Sequence, residues 1–365
     1  MSERANSIAA PDFSDRRNVF FFIAKSLTLL GHRFLARPHI EMDSELIPLR
    51  QGGRAVFVYC GLHKSLWETS GVLAPVYLAG LPVPYVGMGD NLVKGRVFQA
   101  MSKRIGTFLV RRPTNRREMA ESARKLRDDV LAFVAHGLDV LVFPEGTRKN
   151  IPTQGHYGDF FPAAFDAVLD YERRKPAIGD ANPHLAPRDV YLVPFNVDYS
   201  RVREAREMVD EHSGTPRTLH VFDSFAMIRN IGETYLSYGP PIRVADHLDL
   251  DRKALAAFCR QRCLDLVKIL PINVASRAIL TLPEEPSVPR SALNEAIVRV
   301  MDGLRPFADR FRGLVPADPP EEVARRAIQA QLDFRGLGPD DAKLYRLYAS
   351  YISHYFNAAP LPRPA

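Results

Sequence analysis

The chain has 365 residues, of which 46% are hydrophobic and 25% are charged. This balance is ordinary for a globular protein, allows one large core with a helical extension, and excludes a wholly disordered chain. The formal net charge of +7 favours an anionic partner, such as a phosphorylated substrate, an anionic lipid headgroup or a nucleic acid, without choosing among them.

The N-terminal segment is expected to be helical. Residues 17–37 combine large apolar side chains with four basic ones. This composition is typical of a helix lying in the plane of lipid headgroups and also of a helix packed on a domain, so both interpretations stay open. Residues 1–16 are polar and no small-residue cleavage site follows, so no cleavable signal is predicted. We expect a cytoplasmic protein held peripherally at the inner face of a membrane.

Residues 46–245 alternate strand-like runs with segments of helix length. The strand-like runs are RAVFVYC (54–60), VPYVG (83–87), IGTFLVR (105–111), DVLVFP (139–144), VYLVPFNV (190–197), RTLHVFD (217–223) and TYLSYG (234–239). This alternation predicts an α/β fold, with a three-layer core in which helices flank a mixed central sheet.

Three segments of this region carry further expectations. Residues 69–89 are uncharged and nominally long enough to span a bilayer, but their three prolines and four glycines favour a buried helix followed by a core strand. Residues 115–137 have apolar side chains at helical spacing and predict a helix that stops at Gly137. Residues 173–189 contain three prolines and predict a loop.

Helical patterns dominate from residue 246 onwards. The sequence therefore predicts an N-terminal helical segment (1–45), an α/β domain (46–245) and a helical C-terminal region (246–365).

The chain has three cysteines, Cys60, Cys259 and Cys263. We expect reduced, buried thiols, since no histidine cluster accompanies the last two. Cys60 lies three residues before His63 and suggests a thiol nucleophile, but its position within an apolar strand favours a buried thiol.

The string HKSLWE places Glu68 five residues after His63. Composition alone supplies about one such pair by chance, and His184 with Asp189 is a second. His63 differs because it comes just after an apolar strand, separated from it by Gly61. The carboxyl ends of strands are where open α/β sheets hold ligands. Five residues on a helix lie about 140° apart, so the pair can meet only if His63 lies in the strand-to-helix turn.

Two further strings offer phosphate-binding groups. GTFLVRR brings Arg111 and Arg112 to a strand end, where a guanidinium group can bind a phosphate with two hydrogen bonds. Only one of them can face a site, because neighbouring side chains alternate along a strand. FPEGTR ends a strand at residues 145–148, where Gly146 permits close approach of the backbone and Arg148 adds a second donor. Solvated arginines and a simple strand-ending turn are the alternatives.

The three strings, in this order, resemble the first three sequence blocks of the glycerolipid acyltransferases, which act on glycerol 3-phosphate or 1-acylglycerol 3-phosphate. His63 falls on the histidine of the family's His-x4-Asp pattern, where Glu68 replaces the aspartate. The other matches are Gly106, Phe108 and Arg111 to Gly-x-Phe-x-x-Arg, Glu145 to Arg148 to Glu-Gly-Thr-Arg, and Leu192 to Phe195 to a fourth, apolar block. The resemblance covers roughly residues 50–245.

The resemblance implies transfer of a fatty acyl group from an acyl thioester to the hydroxyl of glycerol 3-phosphate, in phospholipid biosynthesis. His63 is the implied general base and Glu68 its partner. The implied substrate-binding residues are Lys64, Ser65, Gly106, Arg111, Arg112, Glu145, Gly146, Thr147 and Arg148. No metal or resident cofactor is expected, and the co-substrate is acyl-CoA or an acyl carrier protein. The expected partners are these substrates and a membrane surface, with no nucleic acid.

Two alternatives stay open within the family. The strings His63-Lys64-Ser65 and Arg111-Arg112 resemble the glycerol-3-phosphate branch, whereas Phe143-Pro144 resembles the 1-acylglycerol-3-phosphate branch. Because Glu68 stands where the family has aspartate, a catalytically weak, lipid-binding member of the same fold is the second alternative.

Overall fold

A computed structural model describes residues 38–65, 68–90, 106–111, 115–146, 156–182, 185–202, 205, 208–209, 233–283, 289–329 and 339–357. The predicted N-terminal helix and the predicted strand at 217–223 lie outside these residues.

The described residues form eight strands and ten α-helices. The strands are β1 (Pro38–Met42), β2 (Ala55–Gly61), β3 (Tyr85–Gly89), β4 (Thr107–Val110), β5 (Val140–Val142), β6 (Asp189–Tyr199), β7 (Thr234–Tyr238) and β8 (Ile242–Arg243). The helices are α1 (Leu46–Gln51), α2 (Glu68–Leu78), α3 (Arg116–Ala135), α4 (Ala163–Ala181), α5 (Arg252–Leu264), α6 (Pro271–Ile279), α7 (Arg290–Leu304), α8 (Pro320–Gln329), α9 (Pro339–Ser350) and α10 (His354–Asn357).

All eight strands belong to one mixed sheet, which confirms the predicted α/β fold. The order across the sheet is β1, β7, β6, β2, β5, β3, β4, and β8 also pairs with β6. β6, β2, β5, β3 and β4 run parallel, while β7 and β8 run antiparallel to β6. The residues that follow β2, β3, β4 and β5 therefore meet at one end of the sheet, which we call the carboxyl end. Ligands of open α/β sheets bind there.

The centre of the sheet is buried because its strands are continuous apolar runs. Every residue of β2 is buried, as expected for a parallel strand covered on both faces. The segment 69–89 forms a helix and then a strand, as predicted. Helix α3 also forms as predicted: the Asn115 side chain accepts a hydrogen bond from the Glu118 N–H (2.9 Å), and Gly137 adopts a φ of 68° after the last turn.

The C-terminal helices share one hydrophobic core with the sheet. This core extends from Leu46 to Tyr355. Hydrogen bonds also join the two regions: the Val202 N–H donates to the Tyr348 hydroxyl at 3.0 Å. The helical character predicted after residue 246 is present, and these helices pack against the α/β unit directly.

Two sequence predictions were wrong in detail. Helix α4 continues to Ala181 through the segment predicted as a loop. Its buried face, which includes Tyr171 and Ile178, outweighs the helix-breaking tendency of Pro176. Strand β1 lies within the predicted N-terminal segment but pairs with β7, so the sheet begins before residue 46.

Within the described part of the chain, no helix combines the length and the apolar character needed to cross a bilayer. The three cysteines are free and buried, as predicted. Burial raises the pKa of the Cys263 thiol well above its usual range.

Candidate active site

His63 and Glu68 meet at the carboxyl end of the sheet. β2 ends at Gly61 and α2 begins at Glu68, so the histidine lies in the connection and the glutamate in the first turn of the helix. His63 Nδ1 lies 2.7 Å from Glu68 Oε2. The carboxylate is fully buried, while 14% of the imidazole is exposed. The five-residue spacing therefore brings an imidazole and a carboxylate together through a turn.

Both oxygens of Glu68 have donors. Oε1 accepts a hydrogen bond from the Lys64 backbone N–H at 2.7 Å, and Oε2 is the oxygen beside His63 Nδ1. A neutral imidazole with its proton on Nδ1 donates to Oε2, and Nε2 is then the nitrogen that acts as a proton acceptor. The glutamate side chain thus spans the distance to the imidazole, although the family pattern has the shorter aspartate.

Aromatic rings support the imidazole. The His63 ring stacks on Phe143, with centroids 4.3 Å apart and planes 22° apart. Phe143 in turn packs edge-on against Phe195 at 5.7 Å. Phe195 lies so close to Gly61 that a Cβ on the glycine would be 2.3 Å from its ring. Because Gly61 has no side chain, Phe195 can pack against it and support Phe143, on which the His63 ring stacks.

The Glu145–Gly146 turn follows β5, the strand next to β2. Gly146 has a φ of 71°, a backbone conformation that favours glycine. The Glu145 carboxylate is buried and accepts a hydrogen bond from the Gly158 N–H at 2.7 Å. Arg260 of α5 donates to the carbonyls of Tyr157 and Gly158 at 2.8 and 2.7 Å. Glu145 thus fixes the segment around Gly158 rather than presenting a carboxylate to solvent.

Arg111 also lies at the carboxyl end, directly after β4. Its side chain is 55% exposed and stands 3.9 Å from the Glu121 carboxylate. Three strand spacings separate β4 from β2, roughly 14 Å at about 4.8 Å per spacing. His63 and Arg111 therefore lie at the same end of the sheet, with β5 and β3 between their strands.

Other predicted substrate-binding residues are buried or lie away from the carboxyl end of the sheet. Lys64 and Ser65 are buried, and the Lys64 ammonium forms an ion pair with Asp198 in the interior. Gly106 precedes β4 and so lies at the opposite end of the sheet, where its carbonyl accepts a hydrogen bond from the Val86 N–H. Its φ of 84° gives it a conformational role in this turn. Arg112, Thr147, Arg148 and the alternative base His184 lie outside the described residues.

The structure also reveals contributors that the sequence did not identify. Phe143 and Phe195 form the support of the imidazole, and Asp198 pairs with Lys64. Phe143 stands within the FPEGTR string, so its position one residue beyond β5 was available as a signal. Asp198 had none, because it lies 134 residues from Lys64 in the chain.

Part of the chain is similar to known proteins. The sequence model of the Acyltransferase family matches residues 43–198. The chain is 24% identical over 251 residues to a glycerol-3-phosphate acyltransferase of Shewanella denitrificans, covering 66% of this chain and 28% of that protein. It is 24% identical over 220 residues to a glycerol-3-phosphate acyltransferase of Alteromonas mediterranea, covering 58% of this chain and 24% of that protein. The chain thus spans less than a third of the length of these relatives.

Among solved structures, the chain is similar to the 1-acyl-sn-glycerophosphate acyltransferase PlsC of Thermotoga maritima. The TM-score is 0.40 and the sequence identity 16%, over 68% of this chain and 80% of that one.

Proposed function

We propose that this chain acylates glycerol 3-phosphate from an acyl thioester. The match of residues 43–198 to the Acyltransferase family model and the similarity to glycerol-3-phosphate acyltransferases support the proposal. The observation that carries the proposal is the 2.7 Å contact between His63 Nδ1 and the buried Glu68 carboxylate at the carboxyl end of the sheet. A base held in this way is suited to removing a proton from an alcohol.

The proposed reaction proceeds without a covalent acyl-enzyme. His63 Nε2 takes the proton of the acceptor hydroxyl while the hydroxyl oxygen attacks the thioester carbonyl carbon. The resulting tetrahedral intermediate collapses and the carbon–sulfur bond breaks. The imidazolium returns its proton to the departing thiolate, which leaves as the thiol. Glu68 stabilises the imidazolium through Oε2, since a carboxylate at hydrogen-bond distance favours the charged ring.

Phosphate recognition is assigned to Arg111, together with Arg148 by its match to the family pattern. Arg111 is exposed at the same end of the sheet as His63, and a guanidinium group binds phosphate oxygens with paired hydrogen bonds. Holding the phosphate fixes the hydroxyl near the base, so this contact contributes positioning.

The proposal makes acceptor choice measurable. Purified protein is incubated with radiolabelled acyl-CoA, or with acyl carrier protein loaded with the same chain, and with glycerol 3-phosphate, dihydroxyacetone phosphate or 1-acylglycerol 3-phosphate. We expect the highest kcat/KM with glycerol 3-phosphate. A preference for 1-acylglycerol 3-phosphate would move the protein to the other branch, and turnover with none of the three would favour a lipid-binding role.

A further inference from the structure

We propose that Lys64 and Asp198 form a buried positioning pair, which fixes the orientation of Glu68 and, through it, that of the His63 imidazole. This inference rests on the proposed acyl transfer. Lys64 is only 1% exposed and Asp198 only 3%. An ammonium group this deep is unusual, because removing a charge from water is costly unless a partner and further hydrogen bonds compensate.

Lys64 connects the site to the interior, because its backbone contacts Glu68 and its side chain contacts Asp198. Its backbone N–H donates to Glu68 Oε1 at 2.7 Å, while its ammonium pairs with Asp198 Oδ1. The side chain therefore fixes where the backbone N–H points. That N–H fixes one oxygen of Glu68, and the other oxygen holds His63.

Asp198 is itself firmly held. Its Oδ2 accepts hydrogen bonds from Asn196 Nδ2 at 2.5 Å and from the Lys268 backbone N–H at 2.7 Å. Since Lys268 follows α5, the carboxylate joins the end of β6 to the helical C-terminal region. The lysine is thus attached to a fixed point in the core.

Two tyrosine rings pack beside the Lys64 ammonium. The Lys64 ammonium lies 5.6 Å from the Tyr157 ring centroid and 5.4 Å from that of Tyr351. Ring faces at this range attract a cation. Tyr351 lies well beyond residues 43–198, so the C-terminal helices contribute to the environment of the acyltransferase site.

The alternative is a lysine that stabilises the fold with no influence on the imidazole. A single Lys64→Met change cannot separate the two roles, because it leaves Asp198 charged and buried, and such variants often fail to fold. The double variant Lys64→Met/Asp198→Asn removes both charges and keeps an oxygen for the Lys268 N–H. Replacing a buried ion pair as a unit is frequently tolerated, so this variant is expected to fold.

The first readout is steady-state acyl transfer. The double variant should lose on the order of 10-fold or more in kcat with little change in either KM, because a displaced base lowers the rate of the chemical step and not substrate binding. Lys175→Met is the matched control. That lysine pairs with Glu172 and Asp189 at the amino end of β6, away from His63, and its loss should leave kcat unchanged.

The second readout does not depend on turnover. In protein labelled with ¹⁵N-histidine, the Nδ1 proton of His63 bonded to a carboxylate should resonate far downfield, and His63→Gln assigns the signal by its loss. We expect the signal to broaden or disappear in the double variant and to persist in Lys175→Met.

These outcomes separate the two proposals. Loss of the signal in the double variant would support the positioning pair, whatever the activity of the parent. Absence of acyl transfer in the parent would contradict the proposed function alone. A parental signal in a folded double variant, or a parental kcat, would overturn the positioning pair.

Discussion

Both carboxylate oxygens of Glu68 have hydrogen-bond partners, so substitutions at this position test the His63–Glu68 pair sharply. Glu68→Gln keeps the shape but removes the charge that stabilises the imidazolium, so kcat should fall by about 10²-fold or more. Glu68→Asp keeps the charge but is one methylene shorter, so with the backbone in place it should lengthen the contacts to the Lys64 N–H and to His63 Nδ1. We expect kcat of this variant to lie between those of Glu68→Gln and the parent. A Glu68→Gln variant with parental kcat would contradict the role of the pair.

Arg111 is expected to act on acceptor binding alone. Arg111→Ala should raise KM for glycerol 3-phosphate by about 10-fold or more, the effect of losing charge-assisted hydrogen bonds, with KM for the acyl thioester nearly unchanged. Arg117→Ala is the control, since Arg117 contacts the same Glu121 carboxylate but is 90% exposed on α3. Equal weakening toward both substrates would assign Arg111 to the fold or to the donor.

The sequence predicted that His63 and Glu68 would meet, but not the contacts of the neighbouring Lys64. His63 and Glu68 were recognisable because a strand-to-helix turn can bring a five-residue spacing together. The family resemblance implied Lys64 as a substrate-binding residue, yet its ammonium is buried against Asp198. Contacts between residues this far apart in the chain leave no local pattern.

At the scale of elements, the approach of β2 to β6 depends on Gly61. Gly61→Ala should destabilise the fold by about 1–3 kcal/mol, since its Cβ would lie 2.3 Å from the Phe195 ring, which must move. The displacement should also reach Phe143 and lower kcat. Gly52→Ala is the control, because its Cβ would come no closer than 3.3 Å to a neighbouring atom. Chemical unfolding measures both, and equal stabilities would show that Phe195 repacks freely.

Elements were predictable where burial and local pattern agree. The strands from β2 to β7 that the structure describes were recognised as apolar runs. Residues 173–189 were predicted as a loop from their three prolines, whereas packing of the apolar face of helix α4 extends it to Ala181. Strand β1 is short and largely exposed, so only its pairing with β7 identifies it.

For the whole molecule, His354 should make stability fall in acid. Burial, reinforced by the Lys64 ammonium, lowers the pKa of His354 from 6.5 to about 3. Below pH 6.5 the unfolded chain binds a proton at this residue and the folded chain does not, so the free energy of unfolding decreases as pH falls. The contribution is about 1.4 kcal/mol per pH unit until pH approaches the folded value.

Urea unfolding between pH 6.5 and about 4 measures this dependence. His354→Gln should have a shallower slope than the parent, because its side chain does not titrate in this range. Identical slopes for parent and His354→Gln would mean that His354 is protonated in the folded protein as readily as in the unfolded chain.

The most direct measurement of the central claim compares the parent with His63→Ala in acyl transfer to glycerol 3-phosphate, with the unfolding midpoint recorded for both. Removing the imidazole takes away its stacking on Phe143 and one partner of the buried Glu68 carboxylate, so the midpoint should fall while the protein still folds. The account predicts a loss of about 10²-fold or more in kcat in a His63→Ala variant that still unfolds cooperatively. A folded His63→Ala variant with near-parental kcat would contradict it.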